Sequence, residues 1–114
     1  ELADELLALV LEGRKRATCW SAAEGSKDTV VGGRWVVEDS QGCPRAVLIT
    51  IALERVRFDL VDGDFAAAEG EGDLSLVYWR KAHEEYFTKN GGFAPDMDLW
   101  CERFDVIQVL PTSP

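Results

Sequence analysis

The sequence predicts an α+β domain: a small, strongly bent sheet or barrel with helices inserted among its strands. Three observations predict it. Apolar residues recur at helical spacing over 2–11 and again over 74–89. They alternate at strand spacing in RAVLITIALERVRF and in LWCERFDVIQVL. The resulting order is one helix, several strands, two helices and a last strand, which is not the strand–helix alternation of a doubly wound sheet. At 114 residues the chain is expected to form one domain, 1–114, around one modest core.

Leu2, Leu6 and Val10 stand at i, i+4 and i+8, with Leu7 and Leu11 beside them, and predict an amphipathic helix. Gly13 follows, where a left-handed turn ends helices. The chain opens inside this helix, so further residues upstream are expected. The hexad GRKRAT, residues 13–18, is then a turn leading into a strand over 17–21. Residues 22–33 are small and polar and read as a loop, RWVV as a short strand and EDSQGCP as a turn. In the next segment Val47, Ile49, Ile51 and Leu53 alternate on one face, the strongest strand signal in the chain.

DLVDGDFAAAEGEGD reads as a short helix broken by glycines, and Asp73 is placed to cap the next helix, Leu74 to Lys89. One stripe of that helix carries Leu76, Trp79, His83 and Phe87, another Leu74, Tyr78, Ala82 and Tyr86. Asn90-Gly91-Gly92 ends it. In the last strand, which is expected to close the sheet, Trp100, Phe104, Val106 and Leu110 share a face with Glu102.

Composition narrows the function. No window approaches the roughly 18 apolar residues that would span a membrane, and the start lacks a signal-peptide pattern. Cys19, Cys43 and Cys101 are an odd number without C-x-x-C spacing, which argues against a disulfide framework or zinc knuckle and points to the reducing cytoplasm. One histidine and no clustered cysteines argue against a metal, and no cofactor is indicated. Twelve basic residues against twenty-one acidic ones give a formal net charge of −9, which excludes a general coat for nucleic acid but leaves room for one small basic site.

Arg14-Lys15-Arg16 is the candidate for that site. The cations either meet the negative end of the preceding helix or clamp a ligand, with arginine forking onto phosphate and lysine acting as a point charge or, if desolvated, a base. A lysine three residues before Thr18 can activate that hydroxyl across a tight turn. Glu69 and Glu71 are either a polar connector or carboxylates that glycines bring close to a ligand. Glu102, on an apolar face, needs a partner, and an internal salt bridge to an arginine is expected. His83 is expected to pack. Trp20, Trp35, Trp79 and Trp100 are expected to be mostly core, with one or two free to stack a base.

These residues resemble a family. Gly13, Lys15 and Thr18, as G-x-K-x-x-T after a first helix, are similar to the signature of the ASCH domain, a relative of the RNA-binding PUA domain. FAAAEGEGD…YWRKAHEEYF and the closing CERFDVI resemble a bacterial ASCH subgroup, and the similarity runs from Leu2 to about Val109. The resemblance implies a PUA-like β-barrel flanked by helices, with a cleft beside the signature. It implies an RNA or nucleoside ligand, with no DNA or membrane expected. Some members of the family resemble hydrolases, either ribonucleases or amidohydrolases of N4-acetylcytidine. In the amidohydrolase branch the catalytic set it implies is Lys15, Thr18 and Glu69, with Glu71 the alternative carboxylate; Arg14, Arg16, Trp20 and Glu71 are the expected ligand-binding residues. Two departures border the cleft: the segment after Thr18 is short, and Val31-Gly32-Gly33 stands where such domains often carry Gly-Asp.

On this reading the three cations form a local positive pocket. The chain is expected to bind RNA or a modified nucleoside beside GRKRAT, and hydrolysis of that ligand, as an amidohydrolase or a ribonuclease, is a further reading left open beside binding alone. The rival reading is a non-enzymatic interaction module whose acidic surface meets a protein partner. The direction of Trp20 and of the loop 22–33 separates the two.

Overall fold

The computed structural model describes residues 2–111. The predicted elements form in the predicted order: α1 (Leu2–Leu11), β1 (Ala17–Ser21), β2 (Arg34–Glu38), β3 (Pro44–Arg57), α2 (Gly63–Glu69), α3 (Leu76–Lys89) and β4 (Asp98–Val109). The four strands make one antiparallel sheet in the order β1-β4-β3-β2, curled into a half-barrel. The α+β, PUA-like architecture is thus present, but β4 lies inside the sheet between β1 and β3 and closes no edge.

Two clusters of buried side chains lie on the two sides of the sheet. One joins Ala17, Leu99 and Cys101 of the strands to Phe65 and Ala66 of α2 and Trp79 and Phe87 of α3. The other joins Val10 of α1 to Ala46, Leu48 and Phe104. Leu7 and Val10 are the buried part of the predicted α1 stripe; the side chain of Leu2 lies outside the described residues. On α3 the stripe Trp79–His83–Phe87 faces inward, while Tyr78 and Tyr86 stay exposed.

Two local expectations are corrected. On β3 the fully buried face is Ala46, Leu48 and Thr50, and Ile51 of the face that the alternation singled out is 49% exposed. Both faces of VLITIA are apolar, so alternation alone does not choose between them, and irregularities in register at Val47/Leu48 and Thr50/Ala52 break the period. The cap of α3 is Ser75, whose hydroxyl accepts from the Tyr78 N–H at 3.0 Å, while Asp73 accepts from the Ser75 N–H one turn earlier. A local Asx turn has taken the residue that sequence pattern offers as a cap.

The GRKRAT turn is wedged between α2 and β4. The Arg16 N–H donates to the Ala68 carbonyl at 2.7 Å, and its carbonyl accepts from Phe104 N–H at 3.0 Å. Gly70 ends α2 with φ +73°, and a Cβ there would run into the Arg14 carbonyl. Only glycine allows both that left-handed turn and that approach.

Candidate functional site: a buried ion cluster and a tryptophan-walled cleft

Side chains alternate along a strand, so the neighbours Thr18 and Cys19 leave β1 on opposite faces. Each belongs to a different constellation.

On the Cys19 side lies a buried cluster centred on Glu69, which the C-terminal end of α2 carries inward to 2% exposure. Lys15 Nζ is 3.1 Å from Glu69 Oε1 and 3.1 Å from Glu71 Oε2. Glu69 Oε2 accepts from the Trp79 indole N–H at 2.6 Å and from the Cys19 thiol at 3.3 Å, and lies 3.4 Å from His83 Nε2. His83 is stacked on Trp79 with ring centroids 4.2 Å apart, and its Nδ1 is 2.8 Å from the Trp79 carbonyl oxygen. An imidazolium donates both of its N–H groups in this position.

Charge follows from these contacts. Burial pushes the Glu69 carboxyl upward, but the His83 hydrogen bond and the Lys15 charge outweigh it and bring the pKa down to about 2. Burial pushes Lys15 toward neutrality, but the charges of Glu69 and Glu71 win and hold it above the usual lysine range. His83 is likewise lowered by burial and raised further by its bond to Glu69. Lys15 is therefore an ammonium and Glu69 a carboxylate. The desolvated free base envisaged for Lys15 is not what this geometry provides, because Glu69 lies within contact and not at a distance.

Cys19, Glu69 and His83 bring three metal-ligating atoms within 4.8 Å of one another. The donor set does not suit a cation. Both Glu69 oxygens already face donors, the Lys15 ammonium abuts one of them, and burial pushes the Cys19 thiol well above its ordinary pKa, against the thiolate a metal needs.

On the Thr18 side lies a cleft of about 350 Å³ to which all four strands contribute. Its innermost residues are Thr50 and Glu102, 1% and 3% exposed. Trp20 and Trp35 flank it, and Thr18 lines it next to Glu102, its cross-strand partner. The loop 22–33 forms one side and stays put because Gly32 N–H and Gly33 C=O bond the Thr50 backbone at 2.8 and 3.0 Å. Lys27 and Arg34 stand exposed at the mouth, and Lys27 lies 5.5 Å from the centre of the Trp20 ring.

Glu102 differs from the expectation of an internal salt bridge. Its partners are neutral: the Thr50 hydroxyl at 2.6 Å and the Trp35 indole N–H at 3.1 Å, both on Oε2. No cation is paired with it among the described residues. The sequence shows that Glu102 lies on an apolar face; it does not show that β3 supplies a hydroxyl opposite and β2 an indole.

Of the residues expected to act together, the structure joins Lys15, Glu69 and Glu71, and places Thr18 and Trp20 in the cleft. The three cations do not gather into one positive pocket. Arg14 is exposed and 3.7 Å from Glu12, Arg16 is exposed and 3.2 Å from Asp105, and Lys15 is buried and neutralised. Sequence reasoning missed Thr50, Trp35 as a polar partner, and Cys19. It took His83 for packing alone, although the stripe it shares with Trp79 was visible.

A curled antiparallel half-barrel with helices on both faces and a cleft beside the G-x-K-x-x-T turn defines a PUA-like domain. The comparisons narrow the class: the ASCH domain family matches residues 1–108, and the chain belongs to that family. Two solved structures are similar to it. An ASCH domain from Lactobacillus crispatus JV V101 is 33% identical with a TM-score of 0.80, over 90% of this chain and 70% of that one. A protein of Enterococcus faecalis V583 is 32% identical with a TM-score of 0.80, over 92% of this chain and 68% of that one. No curated protein matches. Among the described residues no helix is long and apolar enough to cross a membrane.

Proposed function

We propose that this ASCH-domain chain binds a nucleoside, or an unstacked base of single-stranded RNA, in the tryptophan-walled cleft. The observation that carries the reading is the cleft's composition: two half-buried indoles beside a buried polar floor, in a volume typical of small-ligand sites. Bases stack on aromatic rings and are told apart by hydrogen bonds at their edges. Trp20 lines the cleft half-buried, its N–H held by the Gly25 carbonyl at 2.8 Å, and the loop 22–33 frames the cleft. Both features favour a ligand cleft over a flat protein-docking face. Lys27 and Arg34 lie where a phosphate would enter, and the remaining acidic surface keeps the chain off bulk nucleic acid. Titration of cytidine, adenosine and a short single-stranded RNA at low salt, followed by calorimetry, is expected to show binding. Trp20→Ala should weaken it by roughly 5- to 150-fold, since one base–aromatic stack is worth about 1–3 kcal/mol. Absence of binding to all three ligands overturns the reading and leaves the protein-interaction module.

Hydrolysis of the bound ligand is the second reading, and the presence of the Thr18 hydroxyl in the cleft favours it. The resemblance to the amidohydrolase branch assigns Lys15, Thr18 and Glu69 together to hydrolysis of an N4-acetylcytidine-type amide, with RNA cleavage as the rival reaction. Of the three, Thr18 lines the cleft, and the Lys15–Glu69–Glu71 cluster holds the turn three residues before it. Thr18→Val keeps the side-chain shape and removes the hydroxyl. It is expected to abolish turnover of N4-acetylcytidine or of single-stranded RNA while binding persists. Turnover that survives the substitution, or wild-type inactivity on both substrates, removes this reading and leaves binding alone.

A further inference from the structure

We propose that Glu102 selects the base: the cleft takes bases that present an amino group, of the cytosine or adenine type, over those that present a carbonyl at the same edge, such as uracil or hypoxanthine. The inference rests on the cleft being a nucleobase site. It follows from which hydrogen-bonding roles remain open at the floor.

A carboxylate only accepts. Glu102 Oε2 already receives two donors, the Thr50 hydroxyl at 2.6 Å and the Trp35 indole N–H at 3.1 Å. Oε1 has no hydrogen-bond donor among the described residues, yet it is not among the sealed, unpartnered atoms of the interior, and Glu102 lines the cleft. The open oxygen therefore faces the cleft. Thr50 has given its proton to Glu102 and offers only lone pairs. Trp35 has one N–H, and it is engaged. Trp20 has one N–H, and it is held by the Gly25 carbonyl. Apart from the rotatable hydroxyls of Thr18 and Thr29, the inner cleft is a surface of acceptors. Two exposed cations stand at the mouth, but among the described residues no cation is paired with Glu102. A buried acceptor-only floor rewards a ligand that brings N–H groups and repels one that brings a carbonyl oxygen.

The planar walls require that the N–H group sit on a flat ring, and the exocyclic amine of a nucleobase meets both demands. Uracil and hypoxanthine carry an oxygen where cytosine and adenine carry the amine, so each pair differs at the atom that Glu102 would contact. The discrimination expected from one hydrogen bond to a charged acceptor is roughly tenfold to a hundredfold in affinity.

The test is a set of calorimetric titrations with cytidine, uridine, adenosine and inosine against the wild type and Glu102→Gln. The wild type should bind cytidine over uridine and adenosine over inosine by tenfold or more. In Glu102→Gln the Trp35 N–H, which can only donate, holds the amide oxygen in the place of Oε2. The new NH₂ group then points into the cleft, and the preference should reverse toward uridine and inosine. Nucleosides that bind without discrimination, in a wild type whose affinities follow ring size alone, overturn the assignment of Glu102 and leave the cleft as a base site. No binding of any nucleoside overturns the cleft reading itself. If Glu102→Gln fails to fold, as a thermal melt would show, the two wild-type ratios decide the matter without it.

Discussion

Lys15→Met is expected to lower the stability of the domain by about 3 kcal/mol, near the low end of the 3–5 kcal/mol range for breaking a buried ion pair from one side. Met fills the space of the lysine stem, so the loss is electrostatic and not a cavity. What remains is Glu69, 2% exposed, with an oxygen that has lost an ammonium at 3.1 Å. Trp79 and His83 still donate to its other oxygen, and Glu71, whose side chain is 29% exposed, can turn toward water. Those partners keep the cost at the low end. In a domain of this size that is a large share of the whole, and the melting temperature should fall by roughly 10 °C or more. Adding Glu69→Gln to Lys15→Met removes the stranded charge and should recover part of the loss, because the two sites are directly coupled. Denaturant titrations of the wild type, both single variants and the double variant give the cycle. Additive losses, with no recovery in the double variant, would show that the pair is not the clamp described above.

The same cluster shows where sequence legibility stops. The helices and strands are written in local periodicity, and most fall where Leu7, Val10, Trp79 and Phe87 place them. Lys15 and Glu69 are singled out by residue type and by the resemblance, and they do meet. Their partners are not legible, because they depend on register. Cys19 reaches Glu69 because β1 begins at Ala17, which puts odd residues toward α2 and even ones toward the cleft. A shift of one residue would exchange Thr18 and Cys19. Likewise Glu102 meets Thr50 and Trp35 only through pairings across β4, β3 and β2, with two irregularities in the β3–β4 ladder. The sequence holds no local trace of that contact. Its sole signal was a carboxylate on an apolar face. The buried face of β3 was illegible for a related reason: when both faces are apolar, tertiary packing decides.

Acid should unfold the domain along a limb set by Glu69. Its ordinary pKa of 4.5 is brought to about 2 in the folded chain. Between those values the unfolded chain holds a proton that the folded chain refuses, so stability rises with pH across that window. The contribution is fully present above about pH 4.5 and is lost as the pH falls toward 2. Its size follows from the shift, roughly 3 kcal/mol at about 1.4 kcal/mol per unit. His83 has the opposite sign: its pKa is raised, so its contribution is present below 6.5 and fades as pH rises through the elevated value. Lys15, also raised, loses its share only in alkali, above 10.5. The three together place the cluster's strongest hold between about pH 4.5 and 6.5. The carboxylates of half-buried Asp4 and exposed Asp59 and Asp73 are also lowered, by side-chain hydrogen bonds, but water screens them. Urea midpoints from pH 7 down to pH 2.5 should therefore fall steeply below 4.5 in the wild type. Glu69→Gln should start lower at pH 7 and lose less on acidification, since the amide has no proton to take up. Equal slopes in the two proteins below pH 4.5 would mean that the acid limb belongs to other carboxylates and that Glu69 is not held ionised in the core.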